Sequence, residues 1–160
     1  MNKPYTKHKL NTMVKIRIGE EKNRVIKRRA NANAVNFNSE DLDMDMPLVM
    51  VACSAMCPPF TVRIGRNNET LLNAHPTLER AYQTIGLRIG QVPSRSQRIA
   101  PWLSHKEAGH CAEPHAAHKL LNKVNGLRID QMQFSLAYDV KNSQPHGYCG
   151  TCQMVFPQLR

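Results

Sequence analysis

Three cysteines and one glutamate have the residue types and the spacing that a catalytic metal site requires. Cys149 and Cys152 form a CxxC pair, and Cys111 precedes Glu113 by two residues. Residues three apart lie on one face of a helical turn, so both sulfurs of the pair can reach one ion. A structural zinc site has four protein ligands, whereas a catalytic site has three and keeps one position for water. Three cysteines beside a carboxylate therefore match the number of protein ligands in a catalytic zinc site.

Glu113 has the chemistry of a proton shuttle at such a site. Zinc lowers the pKa of its bound water towards neutrality, and a nearby carboxylate can move a proton from that water to a leaving amine. A helix that begins near Cys111 adds positive potential, which favours the thiolate. A cysteine or histidine, one residue, a glutamate and a later CxxC together form the signature of zinc deaminases. The alternative is that Cys111 is a buried apolar side chain and the CxxC a redox or structural pair.

Two further cysteines permit a second arrangement. Cys53 and Cys57 would form a four-cysteine structural zinc site with Cys149 and Cys152. Such residues are more often apolar positions of a strand, and this arrangement leaves Cys111 without a role. The total of five cysteines is odd, which favours reduced thiols over a disulfide scaffold.

The elements that must position these residues can be predicted from the hydrophobic pattern. A helix is expected from about Glu107 to Val124, with Gly126 as its stop, and alternation predicts a strand over residues 132–140 before the CxxC. Upstream, residues 48–55 and 60–65 are typical of a β-hairpin across two prolines. A further helix should begin at Pro76 and end at Gly86. Its core-facing positions are Leu78, Ala81, Tyr82 and Ile85.

Length and charge indicate one basic domain preceded by an arm. Residues 47–160 are predicted to form the domain, and residues 1–46, first basic and then acidic, an N-terminal arm or linker. The net charge of +10 favours nucleic acid as a partner. The N-terminal residues lack the apolar region of a signal peptide, and the longest apolar run is too short to span a bilayer. We expect no membrane partner, and a location in the cytoplasm or delivery to a target cell without a cleaved signal.

The motifs resemble those of a known superfamily. Residues 109–113 (GHCAE) and 148–153 (YCGTCQ) are similar to the two zinc motifs of cytidine deaminases. More closely, the chain resembles the YwqJ-like deaminase domains of bacterial polymorphic toxins. There a hairpin ends in a Gly-x-Asn segment, here residues 65–67, and a His-Pro-x-Leu helix follows, here residues 75–78. The resemblance covers roughly residues 48–157. The chain departs from the family pattern in two ways. Tyr148 stands where a proline is usual, and only eight residues follow Cys152.

The resemblance implies a fold, a cofactor and a reaction. The fold is α/β, a cytidine-deaminase-like three-layer arrangement of a mixed sheet flanked by helices, with one Zn²⁺ at the N-termini of two helices. The reaction is hydrolysis of cytosine to uracil, with Glu113 as shuttle. An immunity protein is a further candidate partner, which the residues themselves do not identify. The ligands are Cys111, Cys149 and Cys152, and the residues assigned to substrate binding are Asn67, His110, Ala112 and Tyr148.

Three functions from different classes remain open on the sequence. The first is deamination of cytosine in single-stranded nucleic acid, DNA in preference to RNA, because an amine inside a duplex is out of reach. The second is deamination of free cytidine, deoxycytidine or a nucleotide. The third is a non-catalytic, zinc-stabilised nucleic-acid-binding module. If the substrate is a polynucleotide, its contacts are expected from Arg66, Arg95, Arg98 and Trp102, with Arg63 and Arg88 as further basic residues near the pocket.

Overall fold

In this computed structural model, the described residues after position 50 form five strands and three helices, and the described residues between 10 and 20 are helical. The structure describes residues 10–13, 15–16, 19–20, 51–57, 61–67, 71–94, 106–139, 142 and 144–160. The strands are β1 (Val51–Cys57), β2 (Thr61–Arg66), β3 (Gln133–Phe134), β4 (Ala137–Asp139) and β5 (Pro145–His146). The helices are α1 (Pro76–Gln83), α2 (Ala112–Leu121) and α3 (Gly150–Val155), with 3₁₀ turns at Ile129–Gln131 and Pro157–Leu159.

The strands form one sheet in the order β2-β1-β4-β5, and β3 also pairs with β1. The α/β class is therefore confirmed, as is the hairpin of β1 and β2, in which Cys53 lies opposite Gly65. The predicted mixed sheet is wrong for the described strands, because each of their pairings is antiparallel. For β4 and β5 the reason is their short connection, since parallel neighbours need a long crossover.

The single strand predicted over residues 132–140 is interrupted. Phe134 of β3 lies opposite Ala55, whereas Tyr138 of β4 lies opposite Ala52. Over this interval β1 advances by three residues and its partner by four, so the partner strand carries a bulge of one residue. The Ser135 hydroxyl donates to the carbonyl of Leu136 at 2.6 Å, which fixes the bulge locally. Alternation alone does not reveal such an insertion.

The two predicted helices are present with shorter bounds. The helix expected over residues 107–124 spans only Ala112–Leu121, because Gly109 has a positive φ of 86° and turns the chain before the helix. Gly126, with φ of 72°, ends the turns that follow the helix. The helix expected from Pro76 runs to Gln83, and its predicted core positions Leu78 and Tyr82 are buried.

Helical residues contact both faces of the sheet. The main core lies between one face and helices α1, α2 and α3. On the other face, Ala52 and Tyr138 form a small buried cluster with Leu136 beside it. The side-chain oxygen of Asn11 accepts a hydrogen bond from the backbone N–H of Leu136 at 2.8 Å, and Lys15 Nζ lies 5.1 Å from the Tyr138 ring centre. Part of the predicted N-terminal arm thus packs on the sheet.

None of the helices in the described part of the chain could cross a membrane.

Helix α2 packs directly against β2 because residue 65 has no side chain. A Cβ atom at Gly65 would overlap the backbone of Ala112 and Ala116. We expect Gly65→Ala to lower the free energy of unfolding by about 3 kcal/mol, since backbone atoms cannot move aside as a side chain can. Chemical denaturation measures this change. Gly19→Ala is the control, because nothing lies within 4 Å of a Cβ at Gly19. An equal effect of both substitutions would contradict the close approach.

Candidate metal centre

The sulfur atoms of Cys111, Cys149 and Cys152 meet at one point. All three lie within 4.8 Å of one another, and the sulfurs of Cys111 and Cys149 are 3.4 Å apart. The structure therefore brings together the three cysteines that the sequence predicts as ligands. Among the described residues, this is the one group of three or more cysteine, histidine or carboxylate side chains arranged to hold a metal ion.

Each half of the cluster stands at the start of a helix. Cys111 is the N-cap of α2 and Cys149 is the N-cap of α3, both with extended backbone. Cys152 lies in the first turn of α3 and is buried. Its backbone N–H donates to the sulfur of Cys149 at 3.4 Å. The positive ends of two helix dipoles thus face the sulfurs, which favours their thiolate forms.

The approach to Cys149 is fixed by the sheet. Strand β5 pairs with β4, with Ala137 opposite His146, and this hairpin returns the chain to the start of α2. The Tyr148 hydroxyl then donates to the carbonyl of Ser135 at 2.6 Å. The residue that replaces the expected proline therefore anchors the CxxC segment to the bulge in the sheet.

Hydrogen bonding within the cluster divides the protons unequally. The bond from Cys111, followed by that from Cys152, lowers the pKa of the Cys149 thiol to about 3. The same interaction with Cys149 raises the pKa of Cys111. Hydrogen bonding to Cys111 and Cys149, together with burial, raises the pKa of Cys152. Of the three thiols, Cys149 is therefore the one whose thiolate form is most favoured.

Glu113 is buried beside the sulfurs. Glu113 is only 3% exposed, and its Oε2 accepts a hydrogen bond from the Cys152 thiol at 3.6 Å. Burial raises the pKa of the Glu113 carboxyl to about 7. Charged residues are rarely buried without a partner, and the enclosed carboxylate therefore points to chemistry at this position.

The donor set fits zinc. Zn–S bonds of about 2.3 Å in tetrahedral geometry imply sulfur separations of about 3.8 Å. The observed separations begin at 3.4 Å and stay within 4.8 Å. Thiolates are soft ligands that suit zinc, copper(I) or iron–sulfur clusters, and three of them leave one tetrahedral position for another group.

A small cavity adjoins the cluster and has room for a water molecule. The part of this cavity that is enclosed by described residues has a volume of about 30 Å³. Glu113, Cys111 and Cys149 line one side. Two of the residues predicted to bind substrate, Asn67 and Ala112, line it as well. Asn67 is held in place, because its side-chain oxygen accepts from the backbone N–H of Val51 at 2.9 Å.

The other predicted site residues have different positions. His110 and Tyr148 are not among the described residues that line the cavity, and the Tyr148 hydroxyl is bonded to Ser135. Arg66 is the last residue of β2 and is half-buried. The predictions for Arg95, Arg98 and Trp102 lie outside the described residues.

Sequence reasoning missed three residues near the site. Lys106 and His146 line the cavity, although neither belongs to a recognisable motif. Tyr82 of α1 is fully buried, and burial followed by the nearby charge of Cys152 raises its pKa well above the ordinary value. The helical pattern predicts Tyr82 as a core residue but carries no sign of its nearness to the thiols. His146 could have been suggested by its place in the turn before the CxxC.

The four-cysteine alternative does not fit the structure. Cys53 is buried in β1, and its sulfur lies 3.6 Å from the carbonyl oxygen of Ser135. Cys57 is at the far end of the same strand, beside Val124 and Leu127 of another cavity. Neither belongs to the metal-ligating group.

No protein-family model, curated protein or solved structure matches this chain.

Proposed function

We propose that this protein is a zinc-dependent hydrolytic deaminase that converts cytosine to uracil in single-stranded nucleic acid. The observation that carries the proposal is the meeting of three cysteine sulfurs within 4.8 Å, with a buried carboxylate 3.6 Å from one of them. A structural site would need a fourth protein ligand, whereas a hydrolytic site needs an open position and a proton carrier.

Each residue has a specific role in this proposal. Cys111, Cys149 and Cys152 would hold the zinc. When bound, the ion supplies the Lewis acidity that makes water a nucleophile near neutral pH. Glu113 would accept a proton from the attacking water as its oxygen bonds to C4 of cytosine, and would give a proton to the amine as the C4–N bond breaks and ammonia leaves. Because Glu113 is buried next to Cys152, it has little freedom to turn away from the reacting atoms.

The walls of the cavity support recognition of a base. The carboxamide of Asn67 offers a donor and an acceptor, and its bond to Val51 holds it in one orientation. Lys106 and His146 line the same cavity and can donate hydrogen bonds to a base edge or a phosphate. Such fixed polar groups are typical of sites that read a nucleobase.

The charge of the protein favours a polynucleotide over a free nucleoside. The net charge of +10 attracts phosphates and is not needed for binding an uncharged nucleoside. The choice of cytosine over adenine follows from the motif resemblance, in which residues 109–113 and 148–153 match cytidine deaminases. Single-stranded DNA is the proposed substrate because its bases are accessible without unpairing.

A substrate panel tests this function. The zinc-loaded protein is incubated with single-stranded DNA, single-stranded RNA, cytidine and dCMP, and mass spectrometry detects the gain of about one dalton per converted cytosine. We expect the fastest conversion with single-stranded DNA. Conversion of cytidine or dCMP alone would replace the polynucleotide substrate by a free one. A protein that holds zinc but converts none of the four would instead be the non-catalytic module.

A further inference from the structure

A cationic groove lies at the opposite end of α2 from the cysteine cluster. It has a volume of about 370 Å³ and is lined by Arg63, His118, Lys119, Asn122 and Lys123. Arg63 comes from β2, and the other four residues come from the last turn of α2 and the turn that follows it. Three of the five side chains carry a positive charge at neutral pH.

The close packing at Gly65 creates this groove. Because α2 touches the backbone of β2, the Lys119 ammonium reaches the carbonyl oxygen of Ile64 and donates to it at 2.9 Å. The Arg63 guanidinium donates to the neighbouring carbonyl of Val62 at 2.8 Å. Both cations are thereby held beside the groove by neutral partners.

Among the described residues, no acidic side chain balances the positive charge of the groove. In the described part of the chain, no carboxylate pairs with Arg63, Lys119 or Lys123. Burial lowers the pKa of Lys119, and the positive charge of Arg66 lowers it further. Cations crowded in this way gain more from an anion than isolated surface cations do.

The groove and the cysteine cavity lie along one seam. Side chains alternate along a strand, so Arg63, Gly65 and Asn67 point to the same side of the β2 segment, towards α2. Asn67 lines the cavity and Arg63 lines the groove. Four residues of extended chain place them about 13 Å apart. A polymer whose base lies at the mouth of the cavity, facing the cysteine cluster, can therefore continue along the seam to the cations.

We propose that this groove binds backbone phosphates of a single-stranded polynucleotide, on one side of the base that faces the cysteine cluster. The reference to that base rests on the proposed function, whereas phosphate binding does not. Lysine and arginine in a groove that follows the backbone are the usual means of binding single strands without reading sequence. Lys119 and Lys123 also lie near the C-terminal end of α2, where cations stabilise the helix. If the two lysines only stabilised the helix, their replacement would lower the melting temperature but would not alter the salt dependence of nucleic-acid binding.

Binding of a labelled oligothymidylate, measured by fluorescence anisotropy over a range of salt, tests the proposal. We expect Lys119→Gln/Lys123→Gln to weaken binding about tenfold and to reduce the slope of log affinity against log salt by about 1.4, which is 0.7 per phosphate contact. Arg63→Gln/Lys123→Gln should weaken binding and reduce the slope to the same extent, and it replaces the first double variant if that protein is unstable. The matched control is Arg80→Gln/Arg128→Gln, which removes the same charge outside the groove and should leave the slope unchanged.

Several results would overturn the groove as a phosphate site. One is an equal loss of affinity in the groove and control variants, because binding would then depend on overall charge alone. Another is groove-dependent binding of phosphatidylserine-containing vesicles with no groove-dependent binding of the oligonucleotide, which would assign the groove to a membrane surface. Because oligothymidylate contains no cytosine, the result is independent of deamination. A selective loss in the groove variants supports the site even if the substrate panel shows no conversion.

Discussion

Replacing Glu113 by glutamine is expected to reduce cytosine deamination at least about 1,000-fold, because general acid–base catalysis contributes roughly 10²–10⁴-fold and this carboxylate is assigned both proton transfers. Glutamine keeps the shape of the side chain and can still occupy the buried position beside Cys152. Zinc content should stay near one ion per chain. The rate of uracil formation and the metal content of the purified variant measure the two effects.

Glu79 provides the matched control for this experiment. It lies on the exposed side of α1, and Glu79→Gln makes the same chemical change away from the cluster. The control should retain full activity. If Glu113→Gln were as active as the unaltered protein, the carboxylate would have no part in proton transfer and the deaminase mechanism would be wrong.

Replacing Cys111 by alanine is expected to lower the zinc content at least tenfold, because the remaining CxxC pair offers only two protein ligands. Metal binding to the folded state also stabilises that state. A chelator should therefore lower the melting temperature of the unaltered protein but have little effect on Cys111→Ala. Elemental analysis and thermal melting with and without the chelator measure these effects.

Cys57→Ala separates the two cysteine arrangements. Cys57 is half-buried at the end of β1 and lies outside the metal-ligating group, so its replacement should leave the zinc content and the chelator response intact. Loss of zinc in Cys57→Ala with retention in Cys111→Ala would favour the four-cysteine structural site instead.

Local patterns in the sequence were sufficient for several elements. The hairpin of β1 and β2 and the helix from Pro76 follow from short-range alternation and helix-start signals, and both are present. The CxxC pair is also local, since its geometry needs only one helical turn. The mixed sheet was wrong because the direction in which β3 and β4 run beside β1 depends on how distant segments pack, which the hydrophobic pattern does not report.

The three cysteines of the cluster and the carboxylate beside them could be selected from the sequence as candidates, because residue type and spacing restrict what can bind a soft metal ion and carry a proton. Their meeting was decided only by the tertiary structure, since Cys111 and Cys149 are 38 residues apart and come together through the β4–β5 hairpin and the Tyr148 anchor. The bulge at Ser135, the cavity positions of Lys106 and His146, and the cationic groove beside Gly65 likewise arise from contacts between distant segments. Such contacts depend on how whole elements pack, and no short stretch of sequence encodes them alone.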